Sequence, residues 1–356
     1  MIEKICHIGP ALNVQGGISS VLVSYKKLFN LPDENFIASY NGSFVKSLPM
    51  FFCLCLKLLL NPPDADFVQI HTSFNGSFFR KFLISLCLRL RRKKYIAHIH
   101  GSQFKRMCTV APGLVKKCIR SYFKHSIMVI CITPDMQEFL DDFVGKGVCR
   151  YVVIPNPCDS LAESPVDLNR QNGTPVKILF AGRYGHRKGV YDLMDSFKNA
   201  HFDVPTELCL FGDGEVDKVK QIAEGYNREF AEGQKKIVVS GWVCRGDYLK
   251  MIPQYDLLSL PSYSETFGMS LVEAMGQGLP VVSTFSGGVP YVVQKDRDGF
   301  LVEAGDKLAL QNALERLVNN RDLRIKMGKN AWNDVSERFS GRIVLQELES
   351  LYKRLD

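Results

Sequence analysis

The stretch EKICHIGPALNVQGGISSVLVSYKKLF, residues 3–29, joins a short apolar run to a glycine pair and an amphipathic segment. Residues 3–9 predict a buried strand. Gly16 and Gly17 then open a predicted helix whose apolar side chains recur at helical spacing, namely Ile18, Val21, Leu22, Tyr25, Leu28 and Phe29. A strand that leads through a glycine loop into a helix is the repeating unit of an α/β fold.

The same alternation continues along the chain. Apolar runs predict four further strands in the first half, at 66–72, 94–101, 126–133 and 149–156. A second series predicts six strands, at 176–183, 207–214, 235–242, 256–262, 279–284 and 299–302, and helices at 306–319 and 321–338. Strands that alternate with helices indicate parallel sheets, so the predicted class is α/β with two doubly wound domains.

Length and composition predict how these elements are divided. The chain has 356 residues, 46% of them hydrophobic, and exceeds the size at which a single core usually stops growing. Residues 157–175 are rich in Pro, Ser, Asn and Gly and predict a linker. We therefore predict an N-terminal domain at 1–165, a C-terminal domain at 166–338, and a helix at 339–356 that returns to the N-terminal domain. Two such domains would leave a cleft at the carboxyl ends of their strands, where ligands bind.

Positive charge is concentrated in the first half. Residues 1–165 hold 20 Lys and Arg against 11 Asp and Glu, whereas the remainder holds 25 against 26. Residues 67–134 contain 13 Lys and Arg and no acid, including the run RKFLISLCLRLRRKK at 80–94. There Phe82, Leu83, Leu86 and Leu90 repeat at helical spacing beside the cations. Such a block usually forms a solvated face, but its size favours contact with an anionic membrane surface.

Two other features bear on the cellular compartment. The apolar run at 48–60 is too short to cross a bilayer, and the N-terminus lacks the apolar core of a secretory signal. The 11 cysteines form no metal-ligand spacing, and their odd number argues against a disulfide framework. We therefore expect reduced cysteines, no metal site and a cytoplasmic protein, peripheral on the inner face of the plasma membrane if the basic block binds lipid.

The stretch SYSETFGMSLVEAMGQGLPVVST, 262–284, carries the strongest candidate site. Glu265 precedes a predicted helix and Glu273 lies about two turns inside it, roughly 10 Å apart along the axis, which is too far for a shared proton. Between them the amides of Phe267, Gly268, Met269 and Ser270 would form an anion site at the helix start. Two distant carboxylates around an anion site match a nucleotide sugar, which has hydroxyls at both ends and phosphate in the middle.

This stretch resembles the E-x7-E signature of the family 4 retaining glycosyltransferases, which have the GT-B fold of two Rossmann-like domains that face a central cleft. The resemblance covers most of the chain, and its order and spacing are consistent throughout. Its other motifs are GPALNVQGGISSVL (9–22), HIHGSQF (98–104), VVIPNPCD (152–159), LFAGRYGHRKGV (179–190) and LCLFGDGE (208–215).

The resemblance implies a role for each matching residue. Glu273 would bind the ribose hydroxyls, Glu265 would contact the transferred sugar, and Arg183 with Lys188 would neutralise the diphosphate. Gly16 and Gly17 would let the backbone approach the diphosphate from the other domain. His100 would lie near the donor sugar and acceptor. The alternative interpretations are that the charged residues are ordinary solvated charges and that His100 only forms a hydrogen bond at the end of its strand. His7, His71, His98 and His186 are assigned a structural role.

The sequence departs from the family pattern at two places. Ser102 stands where the family often has an aspartate, and Pro155-Asn156-Pro157 replaces the usual Pro-Asn-Gly. Both changes concern the acceptor side or the hinge rather than the donor contacts.

The resemblance implies a retaining glycosyltransferase of the bacterial surface-polysaccharide type that needs no metal or other cofactor. Its partners would be a nucleotide sugar, with UDP favoured and GDP possible, and a glycan or polyprenyl-linked acceptor. Front-face transfer is the expected route, and double displacement stays open. Two rivals also stay open, namely a nucleotide-sugar 2-epimerase on the same scaffold and a basic nucleic-acid-binding protein, although the basic block contains no recognisable nucleic-acid module.

Overall fold

A computed structural model describes residues 4–101, 103–168 and 174–355. The chain forms two compact units. The first comprises Met1–Asp159 together with Gly341–Asp356, and the second comprises Ser160–Ser340. The division lies inside the segment 157–175, whose composition predicts a linker.

The first unit is built on a parallel six-stranded sheet. Its strands are β1 (Ile5–Gly9), β2 (Phe36–Ala38), β3 (Phe67–Thr72), β4 (Tyr95–Ile99), β5 (Met128–Cys131) and β6 (Tyr151–Val153). They lie in the order β2-β1-β3-β4-β5-β6. The flanking helices are α1 (Gly17–Phe29), α2 (Phe44–Leu60), α3 (Gly76–Leu90), α4 (Phe104–Val110), α5 (Gly113–Lys124) and α6 (Pro134–Val144). The edge strand β2 was not predicted.

The second unit contains another parallel six-stranded sheet. Its strands are β7 (Val176–Ala181), β8 (Thr206–Phe211), β9 (Lys235–Ser240), β10 (Leu257–Leu260), β11 (Val281–Thr284) and β12 (Gly299–Val302). Their order, β12-β11-β10-β7-β8-β9, is that of dinucleotide-binding sheets. The helices are α7 (Val190–Asn199), α8 (Val216–Glu229), α9 (Arg245–Met251), α10 (Met269–Met275), α11 (Val289–Val292), α12 (Lys307–Asn319) and α13 (Arg321–Arg338).

The last helix, α14 (Gly341–Leu355), belongs to the first unit. It packs against α1, where a side chain at Gly341 would come within 2.6 Å of Leu28. Near its end, the Tyr352 hydroxyl donates to Oε1 of Gln69 in β3 at 2.6 Å. The helix therefore contributes to the interior of the first unit. Throughout the described ranges, no helix is long and apolar enough to span a membrane.

The two faces of the first sheet differ in chemistry because successive strand residues point to opposite sides. One face packs on an apolar core that includes Ile8, Val68, Ile70, Ala97 and Ile99. The opposite face carries buried polar side chains under Tyr25 of α1 and Tyr352 of α14. These are His7, Gln69, His71 and His98.

Lys81 corrects the prediction that the cations of 80–94 form one exposed face. Its side chain is only 1% exposed, and its ammonium donates to the Ser39 hydroxyl at 2.5 Å. Burial, with a smaller contribution from Arg80, lowers the pKa of Lys81 to about 7. Lys81 lies on the inner side of α3, so the lysine belongs to the interior and adds nothing to the surface charge.

Candidate functional site

In the second unit, the order of the strands brings two of the predicted site loops together. Strands β7 and β10 are neighbours at the point where the strand order reverses. The loop after β7 carries Arg183 and Lys188, and the loop after β10 carries Glu265. Ligands of doubly wound sheets bind at such a switch point, outside the carboxyl ends of the strands.

Lys188 and Glu265 form an ion pair across this point. Their side chains are 16% and 14% exposed, so solvent screens the pair only in part. Lys188 ends a short 3-10 helix, and Gly189 follows it with φ of 71°. A side chain at Gly189 would come within 2.0 Å of the Pro261 carbonyl oxygen. Glycine at this position therefore allows the two loops to approach closely enough for the pair to form.

Gly287 supports Glu265 from the other side. It has φ of 54°, and a side chain there would meet the Glu265 carbonyl oxygen at 1.9 Å. Both the positive φ and this steric clash disfavour any residue other than glycine at position 287. The loop after β11 thus packs directly on the Glu265 backbone and fixes its position.

Arg183 differs from Lys188 in its surroundings. Its side chain is exposed, and it forms no ion pair with any residue in the described ranges. It occupies the same loop as Lys188, five positions earlier in the chain. Arg183 is therefore a cation that is free to meet an anionic ligand.

Helix α10 begins later than the sequence predicted. Gly268 precedes it with φ of 82° and provides no side-chain cap, so its first amides keep their donor capacity. The helix starts at Met269 and continues through Ser270, so Glu273 lies little more than one turn from its start, not two. The Phe267 ring is buried against Phe339, at 5.4 Å between centroids, so only its backbone could face a ligand.

Glu273 is buried and paired with a residue that the sequence analysis missed. Its Oε1 atom accepts a hydrogen bond from Nε of Arg245 at 3.0 Å, and Nη2 of Arg245 forms an ion pair with the same oxygen at 3.0 Å. Arg245 is the first residue of α9. The Glu273 carboxylate adds to the effect of burial on nearby Tyr248, whose pKa is held well above its ordinary value. Arg245 thus fixes the orientation of the Glu273 carboxylate.

In the first unit, the glycine loop and a histidine cluster hold the remaining predicted residues. Gly16 has φ of 147° and caps α1, whose first residue is Gly17, and both are exposed. His100 follows β4 and is buried with His71 and His98. One ring nitrogen from each of these three histidines lies within 4.8 Å of the other two.

The histidines of this cluster are held neutral. Burial lowers the pKa of both His7 and His100 to about 3. Burial, together with repulsion from the neighbouring imidazoles, lowers the pKa of His71 and His98 well below the ordinary value. His100 is therefore an uncharged group at neutral pH, able to accept or donate a hydrogen bond but carrying no positive charge.

Comparison with known proteins identifies the family of the second unit. Residues 166–334, which contain Arg183, Lys188, Glu265 and Glu273, match the family model of glycosyl transferases group 1. The second unit of the chain is therefore a group 1 glycosyltransferase domain. The resemblance inferred from the motifs is thereby confirmed.

The chain matches about half the length of some relatives and most of the length of others. It is 29% identical over 176 residues to N-acetyl-alpha-D-glucosaminyl L-malate synthase of Bacillus anthracis. This match covers 49% of this chain but only 44% of that protein. It is 24% identical over 328 residues to UDP-Gal:alpha-D-GlcNAc-diphosphoundecaprenol alpha-1,3-galactosyltransferase of Escherichia coli. This match covers 88% of this chain and 81% of that protein.

A solved structure confirms the predicted α/β fold of two doubly wound units. Anabaena HepE in complex with UDP matches with a TM-score of 0.77 and 20% identity, over 99% of this chain and 100% of that one. At this level of identity the likeness concerns the fold alone.

Within the glycosyltransferase, the predicted site residues are grouped by unit. Lys188 contacts Glu265, and Glu273 contacts Arg245, all in the second unit. Ser102, which replaces the aspartate common in the family, lies outside the described residues. The sequence offered no signal for Arg245, whereas the glycine pair 287–288 directly after a strand could have indicated a close approach.

Proposed function

We propose that this glycosyltransferase moves a sugar from a nucleotide diphosphate sugar to a glycan or polyprenyl-linked acceptor, with retention of configuration and without a metal ion. The observation that carries the proposal is the arrangement of the second unit. Two carboxylates, Glu265 and Glu273, are each held by a cation at the end of the second sheet where nucleotides bind. Nucleotide binding in the presence of a chelator tests it.

The donor would be held by groups of the second unit. Glu273, oriented by Arg245, would accept hydrogen bonds from the ribose hydroxyls. Arg183 and Lys188 would lie along the diphosphate, together with the first amides of α10. Cleavage of the sugar–phosphate bond leaves a nucleoside diphosphate with growing negative charge, and fixed cations stabilise such a leaving group. Because these residues supply the positive charge, the proposed reaction needs no metal.

The transfer step would proceed on one face of the sugar. The bond between the anomeric carbon and the diphosphate oxygen breaks, the acceptor hydroxyl oxygen bonds to that carbon, and the departing phosphate takes the hydroxyl proton. Glu265 would contact the transferred sugar and His100 would hydrogen-bond near it. An uncharged His100 suits this task because it adds no cation beside a carbon that develops positive charge.

The relatives favour a uridine donor and an envelope-glycan acceptor. The Escherichia coli relative is named for UDP-Gal and a diphosphoundecaprenol acceptor. A sugar epimerase would convert the donor without any acceptor, so dependence of UDP release on acceptor separates the two activities. A nucleic-acid-binding protein would release no UDP at all.

An exposed apolar face on the first unit supports a further proposal, that the protein docks on an anionic inner-leaflet membrane. Helix α2 exposes large apolar side chains three or four residues apart, and α3 packs beside it. These side chains are Val45, Leu48, Phe52, Leu56 and Leu60 of α2 and Phe79, Leu83 and Leu90 of α3. Exposed cations of the same unit include Lys57, Arg91, Arg92, Lys94, Lys117 and Arg120. Apolar side chains beside cations match the chemistry of an anionic lipid surface.

The membrane proposal predicts that Phe52→Ser with Leu56→Ser lowers partition onto anionic vesicles by about tenfold or more, since full burial of each side chain contributes about 1.5–3 kcal/mol. Both are more than half exposed, so the fold should tolerate the change. Co-sedimentation at low salt measures the effect. Leu308→Ser, equally exposed but in the second unit, is the matched control and should bind like wild type. Wild-type protein that stays in the supernatant would refute membrane docking.

A further inference from the structure

Three buried histidines of the first unit form a continuous hydrogen-bonded chain. Nδ1 of His7 lies 3.1 Å from Nε2 of His71, and Nδ1 of His71 lies 3.0 Å from Nε2 of His100. His7 belongs to β1, His71 to β3, and His100 follows β4. The chain therefore crosses the sheet and ends at the histidine that the proposed function places beside the substrates.

The surroundings of the chain disfavour a positive charge on it. The groups that act on the pKa of its members are other histidines, Lys81 and Asn156, and none of these is an acid. The Tyr25 ring contacts His7 and His71. A divalent metal would add two charges with no carboxylate to offset them, and it would have to break the bond between His71 and His100. The geometry thus favours a neutral hydrogen-bonded chain over a metal site.

A neutral chain can run in either of two directions. Each hydrogen-bonded pair of nitrogens holds a single proton. The groups at the two ends of the chain therefore decide which ring of each pair is the donor. Nδ1 of His100 and Oδ1 of Asn156 are both buried and make no hydrogen bond of ordinary geometry within the described ranges. Burial lowers the pKa of His100 and a hydrogen-bonding interaction with the Asn156 side chain partly raises it, so the two side chains lie near each other. If Nδ1 of His100 carries the proton, the unpaired Asn156 oxygen is available to accept it, whereas a bare Nδ1 would leave two buried acceptors without a donor.

We propose that His7, His71 and His100 all carry their proton on Nδ1, so that His71 donates to Nε2 of His100 and fixes the orientation of its neutral ring. The role of His71 in holding His100 beside the substrates rests on the proposed function, but the tautomers themselves do not. His71 is then a positioning residue. Neither nitrogen of His100 is free to take the acceptor proton, because Nε2 already accepts from His71 and Nδ1 is protonated. His100 is thereby excluded as the base, in agreement with the proposed transfer of this proton to the departing phosphate.

His98 provides an internal reference with the opposite tautomer. Nε2 of Gln69 lies 2.9 Å from Nδ1 of His98, and Oε1 of Gln69 is occupied by the Tyr352 hydroxyl. The amide nitrogen must therefore donate to His98, which leaves the His98 proton on Nε2. Its ring centroid lies 4.0 Å from that of His100, so the two tautomers can be compared in one environment.

Long-range proton–nitrogen correlation spectra of ¹⁵N-histidine-labelled wild-type protein test the proposal without any activity assay. We expect Nδ1–H for His7, His71 and His100, Nε2–H for His98, and no titration of the four rings between about pH 5.5 and 8.5. An Nε2–H tautomer at His71 or His100, or titration of either ring in this range, would overturn the proposal.

Two variants of His71 then test its positioning role. An asparagine amide occupies roughly the place of Nδ1 and can still donate to His100, whereas a glutamine amide reaches the place of Nε2 and cannot. We expect His71→Asn to keep transfer activity within about threefold, and His71→Gln to lower kcat on the order of 100-fold with UDP affinity unchanged. Equal activities of the two variants would refute the positioning role. Absence of transfer in wild type would refute the proposed function alone, since the tautomers are measured separately.

Discussion

Lys188→Met is expected to lower kcat for sugar transfer by about 100- to 1,000-fold, the effect typical of removing one fixed group that stabilises developing negative charge. Methionine keeps the length of the side chain but not its charge. Because Lys188 also pairs with Glu265, the loss could reflect disturbance of that carboxylate. Steady-state kinetics of Lys188→Met, Glu265→Gln and the double variant separate the two causes.

If Lys188 neutralises the diphosphate, Lys188→Met keeps its defect when Glu265 is already glutamine. If it serves only to hold Glu265, the double variant is no slower than Glu265→Gln alone. Lys220→Met removes an exposed lysine of the same unit and should retain wild-type kcat. Full turnover by Lys188→Met would contradict the assigned role.

Glu273→Gln is expected to raise the Kd for UDP by about 10- to 100-fold, because hydrogen bonds to a charged acceptor contribute about 1.5–3 kcal/mol. Glutamine keeps an oxygen that Arg245 can contact. Alanine would remove the partner of a largely buried guanidinium and would destabilise the fold as well. Calorimetric titration of UDP measures the change, and Glu303→Gln, an exposed glutamate in the second unit, is the matched control.

The ribose contact itself is tested with 2′-deoxy-UDP. Wild-type protein should bind this analogue more weakly than UDP, whereas Glu273→Gln should discriminate far less between them, since the lost hydroxyl and the lost carboxylate belong to one interaction. Discrimination by the variant as strong as that of wild type would assign the ribose contact to another residue.

The predicted strands were recognisable because buried parallel strands are continuous apolar runs. The edge strand β2 escaped because it spans three residues, Phe36–Ala38, too few to give a pattern. Lys81 was predicted to lie with its charged neighbours on the surface. The position of its ammonium depends on Ser39, a contact between residues far apart in sequence that local periodicity cannot reveal.

The site could be predicted only as far as its motifs extend. Glu265 and Glu273 are marked by their spacing and by the helix between them. Arg245 lies in a different loop, and its contact with Glu273 exists only once α9 and α10 are packed. The histidine chain depends on strand register, which pairs His7 with Gln69, two residues before His71, and pairs His71 with His98, two residues before His100. Register between parallel strands depends on tertiary packing and is not encoded in any local segment.

Thermal unfolding with UDP, GDP and ADP, each with and without EDTA, tests the central claim most directly. A nucleotide at 100 times its Kd stabilises a protein by about 2.7 kcal/mol. For a unit of this size, that raises Tm by roughly 5 °C or more. We predict that UDP gives the largest shift and that EDTA leaves it unchanged. A Tm unaffected by any nucleotide at millimolar concentration, or a shift abolished by EDTA, would contradict a metal-independent nucleotide-sugar site.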